Sequence, residues 1–141
     1  EIGKLFPEVT VEEQACPMWV PLVEYGESNA PGADYFVKKY TSELMQRDPK
    51  IDTIILGCTH YPLLRPKIRE ALPESIELIS QGELVASSLA DYLLRHPEME
   101  HRLSQGGEIS YRTTECPEKF EELASIFTGT EVRATRVKIT G

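Results

Sequence analysis

A thiol, a hydroxyl and an imidazole follow one another at Cys58, Thr59 and His60. They come after an apolar run, Ile51, Ile54, Ile55 and Leu56, that breaks off at Gly57, and before Tyr61 and Pro62. The run reads as a strand buried on both faces of a parallel sheet. Pro62 reads as the first turn of a helix over residues 62–72, where a missing N–H is harmless. Ligands of open α/β sheets bind in the crevice between a strand's carboxyl end and a helix's amino end. Free N–H groups and the helix dipole there stabilise a thiolate and hold carboxylates. Cys58 is therefore a candidate nucleophile or base. His60 is a candidate hydrogen-bond partner and proton shuttle, and Thr59 with its backbone N–H a candidate carboxylate holder. The competing structural reading is a buried cysteine, a helix-capping threonine and a surface histidine.

A second stretch of interest is ACPMWVPLVE, residues 15–24. Trp19, Val20, Leu22 and Val23 form a bulky apolar side, and Glu24 follows at once. A carboxylate beside such a cluster is partly desolvated, which raises its pKa and lets it join in proton transfer. Taken alone, Glu24 reads better as a solvated residue in a helix's first turn. Together with LGCTHYPLL, residues 56–64, this stretch resembles the carboxyl-terminal half of the bacterial glutamate racemases, in the aspartate/glutamate racemase superfamily. The resemblance covers most of the chain and weakens toward its end. It implies catalytic roles for Cys58, His60 and Glu24 and substrate binding by Thr59. Cys16 matches no catalytic position of the family and reads as a small buried hydrophobe.

The elements around these residues alternate between strand and helix, the pattern of a parallel α/β sheet. Residues 9–15 read as a strand delivering Cys16, and residues 26–32, GESNAPG, as a loop. Residues 34–47 read as a helix with Phe36, Val37, Tyr40 and Leu44 on one face, stopped by Asp48 and Pro49. In the helix over 62–72 the inner face is Leu64, Ile68, Ala71 and Leu72. Residues 76–79 form a second strand. Ser80 and Glu83 have capping-box spacing ahead of a helix that carries Val85, Ser88, Leu89, Tyr92 and Leu93 inward. Residues 96–107 read as a polar loop, 108–113 as a strand, 118–127 as a helix and 131–139 as an edge strand. Cys116 also precedes a helix and rivals Cys58 on position alone, but the family's motifs assign it no catalysis.

Composition narrows the field. A chain of 141 residues with 40% hydrophobic and 27% charged residues suits one modest globular core. A net charge of −8 speaks against sequence-independent nucleic-acid binding. No apolar run approaches the ~18 residues of a membrane span, and no secretory pattern opens the chain, so the cytoplasm is expected. Three cysteines at irregular spacing predict reduced thiols and offer no paired zinc motif. Nucleotide-binding glycine loops and the serine-hydrolase elbow are absent. The chain opens on Glu1, which predicts a processed or excised piece.

The resemblance implies an incomplete racemase-like α/β fold whose amino-terminal half is absent. Residues 1–80 would be the second half of one α/β domain carrying the Cys-Thr-His motif, and 81–141 would complete the other. It implies a cofactor-independent, two-base interconversion of L- and D-glutamate for peptidoglycan. Glutamate and the missing half are the expected partners, a homodimer is compatible with the sequence, and neither metal nor cofactor is expected. With one of two catalytic thiols, the isolated piece is expected to be inactive. Other superfamily enzymes, such as aspartate or hydantoin racemases and maleate isomerase-like enzymes, stay open, as does a non-catalytic carboxylate-binding α/β module.

Overall fold

The structure is a computed structural model, and it describes residues 2–139. The chain divides into two compact units, one ending at Gln81 and the other beginning at Gly82.

The first unit opens with one helical turn, α1 (Ile2–Leu5), and an extended segment without partners in a sheet. The strand expected over 9–15 is thus not formed. Alternating Val9 and Val11 supplies a strand's pattern, but strands need a neighbour to pair with, and both valines stay exposed. Helix α2 (Trp19–Glu24) buries Trp19 and Val23, one turn apart. Helix α3 (Pro31–Arg47) begins three residues earlier than the apolar spacing alone suggested, because Pro31 suits a first helical turn. Its inner face is Ala33, Val37, Tyr40 and Thr41, and the Thr41 hydroxyl donates to the Val37 carbonyl at 2.8 Å. After the helix, Lys50 N–H donates to Asp48 Oδ1 at 2.8 Å, a local turn that redirects the chain.

Strand β1 (Thr53–Leu56) pairs in parallel with β2 (Glu77–Ser80), with Ile54 opposite Leu78 and Leu56 opposite Ser80. Burial on both faces does not hold for β1. Leu56 is buried, but Ile55 is 49% exposed, since the sheet has two strands and one of its faces is left open among the described residues. The expected continuous helix over 62–72 is also divided. Tyr61–Leu64 form a 3-10 turn, and α4 (Arg65–Ala71) follows. Pro66 explains the break, because it lacks an N–H and its ring would collide with the carbonyl four residues back.

Helix α4 packs on α3, where Lys67 Nζ meets Asp34 Oδ1 at 2.5 Å. The Arg69 guanidinium donates to the carbonyls of Leu72, Pro73 and Ile76, tying the end of α4 to the approach to β2. Leu64 and Ile68 are fully enclosed between these layers, with Val23, Val37, Leu56 and Leu78 around them in the same core.

The second unit holds all but the first residue of α5 (Gln81–Arg95), then α6 (Pro97–Glu100), β3 (Tyr111–Thr113), α7 (Pro117–Thr128) and β4 (Ala134–Arg136). Strands β3 and β4 are parallel, with Tyr111 opposite Ala134. Gly129, at φ +67°, ends α7 in the left-handed conformation that glycine adopts without strain. Among its described residues only Val132 is buried. Helix α5 does not carry its expected face inward, for Val85, Ser88, Leu89 and Tyr92 are exposed and Leu93 is only half-buried. The stripe has helical spacing, but no layer of this unit covers it.

Candidate active site

Strand β1 ends at Leu56, Gly57 releases the chain, and Cys58 lies in the turn leading to Tyr61–Leu64. The turn closes on itself: Tyr61 N–H donates to the Cys58 carbonyl at 3.2 Å, and Leu63 N–H to that of His60 at 3.1 Å. Cys58 is half-buried. Its Sγ lies 3.8 Å from His60 Nδ1, and His60 Nε2 lies 3.2 Å from Glu24 Oε1 at the end of α2. Thr59 is exposed, with its Oγ1 3.4 Å from His60 Nδ1. The structure thus brings Cys58, Thr59, His60 and Glu24 together at the carboxyl end of β1.

The geometry sets the direction of the hydrogen bonds. An ionised carboxylate only accepts, so His60 Nε2 carries the proton that faces Glu24. In the neutral ring, Nδ1 is then an acceptor, positioned to take the thiol proton of Cys58. Glu24 stabilises the positive charge that this transfer places on the ring. Chemically, the arrangement can serve as a thiol paired with an oriented base. It takes over part of the role that the sequence pattern assigns to a helix dipole. The segment after Cys58 is a single 3-10 turn followed by a seven-residue helix, too short to carry a large end charge.

The other thiols differ. Cys16 is 7% exposed. Burial, with the Glu43 charge adding, pushes its pKa up to about 12. Cys116 is exposed and donates to Glu118 Oε2 at 2.7 Å. That bond, with the Arg136 charge adding, holds the Glu118 carboxyl below the usual carboxylate range. With a pKa near 12, about one Cys16 in 10⁴ is a thiolate at pH 8, so alkylation of the folded chain labels Cys58 and Cys116 well before Cys16. Peptide mapping by mass spectrometry checks this, and equally fast labelling of Cys16 would contradict its burial.

In the sequence Tyr61 stands out only as part of the motif, yet its ring stands edge-on to Trp19 with ring centres 4.8 Å apart. Burial, and next the charges of Cys16 and Cys58, push its phenol above its ordinary range. No spacing signal links these rings, which lie on separate elements. A hollow of about 380 Å³ lined by Ile2, Gly3, Val9, Val11 and Glu13 contains none of the site residues.

No family model matches the chain. It is 41% identical over 117 residues to glutamate racemase of Shouchella clausii, covering 83% of this chain and 41% of that protein. To glutamate racemase of Geobacter metallireducens it is 36% identical over 128 residues, covering 91% and 46%. Among solved structures, the glutamate racemase isoform RacE1 of Bacillus anthracis superposes with a TM-score of 0.78 at 30% identity, over 98% of this chain and 50% of that one. Glutamate racemase of Francisella tularensis, solved in complex with D-glutamate, superposes with a TM-score of 0.79 at 26% identity, over 99% and 50%. The chain spans less than half the length of the curated relatives it matches. By sequence and by fold it is similar to the glutamate racemases, over a span that fits their carboxyl-terminal half.

Proposed function

We propose that this chain supplies one side of a glutamate racemase active site, with Cys58 exchanging protons at the α-carbon of glutamate. The observation that carries this is the run of contacts from Glu24 through His60 to Cys58, at the strand end where α/β folds bind ligands. His60 takes the thiol proton and Glu24 steadies the charged ring. The Cys58 thiolate then removes the α-proton. The Cα–H bond breaks, its electron pair stays on the substrate, and the proton passes to sulfur. An acid on the opposite face returns a proton and inverts the centre. The exposed Thr59 hydroxyl and backbone N–H are suited to hold a substrate carboxylate. All of this is acid–base chemistry, so the proposed reaction is cofactor-independent.

The opposing acid is not assigned to this chain's other thiols, since Cys16 is buried and the Cys116 thiol donates to Glu118. We therefore assign it to an amino-terminal half, residues 1–80 completing one α/β domain and 81–141 the other. The exposed Ile55 face and the stripe of Leu84, Val85, Leu89 and Tyr92 support such a partner, since surface of this kind is ordinarily covered. The partners are then glutamate, that half and, in a homodimer, a second copy. No described helix is long and apolar enough to cross a membrane. A cytoplasmic place in peptidoglycan synthesis, providing D-glutamate, completes the proposal.

Solvent deuterium exchange tests it. The chain joined to an amino-terminal racemase half should incorporate deuterium at Cα of L- and D-glutamate and not of aspartate, while the chain alone should give no racemisation. Exchange confined to aspartate would shift the reading to another superfamily enzyme. Turnover by the chain alone would overturn the two-sided mechanism.

A further inference from the structure

The Glu24–His60 contact joins two segments far apart in sequence, and neither partner is anchored by its own burial. The Glu24 side chain is 50% exposed and that of His60 23% exposed. Exposed ion pairs of this kind do not by themselves hold two elements in place. The rings beneath them are better suited to do so. Trp19, at the start of α2, is 5% exposed, and its indole N–H donates to the Phe36 carbonyl of α3 at 3.4 Å. It also meets the Tyr40 ring edge-on at 6.1 Å. Val23, beside Glu24, is fully enclosed, so both ends of α2 are fixed to the core. Tyr61 directly follows His60 and stands against Trp19 at an interplanar angle of 81°. Edge-to-face rings have a preferred separation and resist sliding.

We propose that Trp19 and Tyr61 are positioning residues: their ring contact sets the distance between α2 and the Cys58–His60 turn, and so aligns Glu24, His60 and Cys58. The ring of Tyr61 does this, and its hydroxyl is not required. The proposal rests on the reading of Cys58 and His60 as an acid–base pair, but its test reads the thiol and not turnover.

The experiment uses the full 141-residue chain and measures the iodoacetamide alkylation rate of Cys58 at pH 7.5, resolved from the other thiols by peptide mapping. His60→Gln is introduced into the parent and into Tyr61→Leu, Trp19→Leu and Tyr61→Phe. In the parent, His60→Gln slows Cys58 by about fivefold or more, because less thiolate forms. In the two leucine backgrounds it changes the rate by less than about twofold, the coupling being already lost. In Tyr61→Phe the full dependence on His60 returns. A leucine variant whose Cys58 depends on His60 as strongly as the parent's overturns the proposal, and so does a Tyr61→Phe variant that has lost the dependence. If circular dichroism shows both leucine variants unfolded, Trp19→Phe, which keeps a ring but shortens its reach, is measured against the same criteria. A parent in which His60→Gln leaves Cys58 unchanged overturns the acid–base pairing itself, a failure distinct from that of the ring contact.

Discussion

Changing Cys58 to alanine in the proposed racemase lowers kcat/KM for glutamate by roughly 10²–10⁴-fold, the range a positioned acid–base group supplies. The loss is uneven between half-reactions, and this separates a catalytic thiol from a structural one. In the proposed mechanism Cys58 works on one side of the α-carbon, so the variant should lose deuterium exchange from the enantiomer whose Cα–H points at it. The other enantiomer, deprotonated by the opposing group, should still exchange, with its configuration retained. Cavity formation cannot explain such an asymmetry, because Cys58 is half-buried and a packing defect would weaken both directions alike. Chiral chromatography combined with mass spectrometry of each enantiomer in D₂O reads both effects. Equal loss of exchange from the two enantiomers would contradict the one-sided role.

What the sequence reveals and what it conceals divide along physical lines. Helix α3 is legible because Val37, Tyr40 and the residues around them recur at helical spacing. Cys58 and His60 are legible as neighbours because two residues in a turn cannot lie far apart. The contact of His60 with Glu24 is different, since it depends on where α2 docks, and no local pattern encodes that. Only the resemblance to a known family put Glu24 beside the other two. Patterns that anticipate burial misled wherever the covering layer is not in the chain. The alternation at residues 9–15, the apolar run of β1 and the stripe of α5 each have the pattern of one side of a contact whose other side is missing among the described residues. The apolar spacing over 62–72 likewise does not show the point near Pro66 where the 3-10 turn gives way to α4.

The largest effect on stability is expected at Ile68. It is fully enclosed, and replacing it with alanine removes three carbons from a site walled by rigid elements, at a cost of about 2–5 kcal/mol. Single domains are stable by about 5–15 kcal/mol, so the loss is a large part of what holds the first unit together. Urea unfolding followed by the fluorescence of Trp19, the chain's single tryptophan, should show a midpoint lowered by roughly 1–3 M at the slopes usual for small proteins. Ile55 is the internal control. It is 49% exposed on the open face of β1, so Ile55→Ala in the same chain should cost less than about 1 kcal/mol. In the assembled racemase the two should converge, because the half proposed to cover β1 would bury Ile55 and raise the cost of truncating it, while Ile68 is already enclosed. A cost at Ile55 that stays small in the assembled protein would mean that this face of β1 is not where the second half packs.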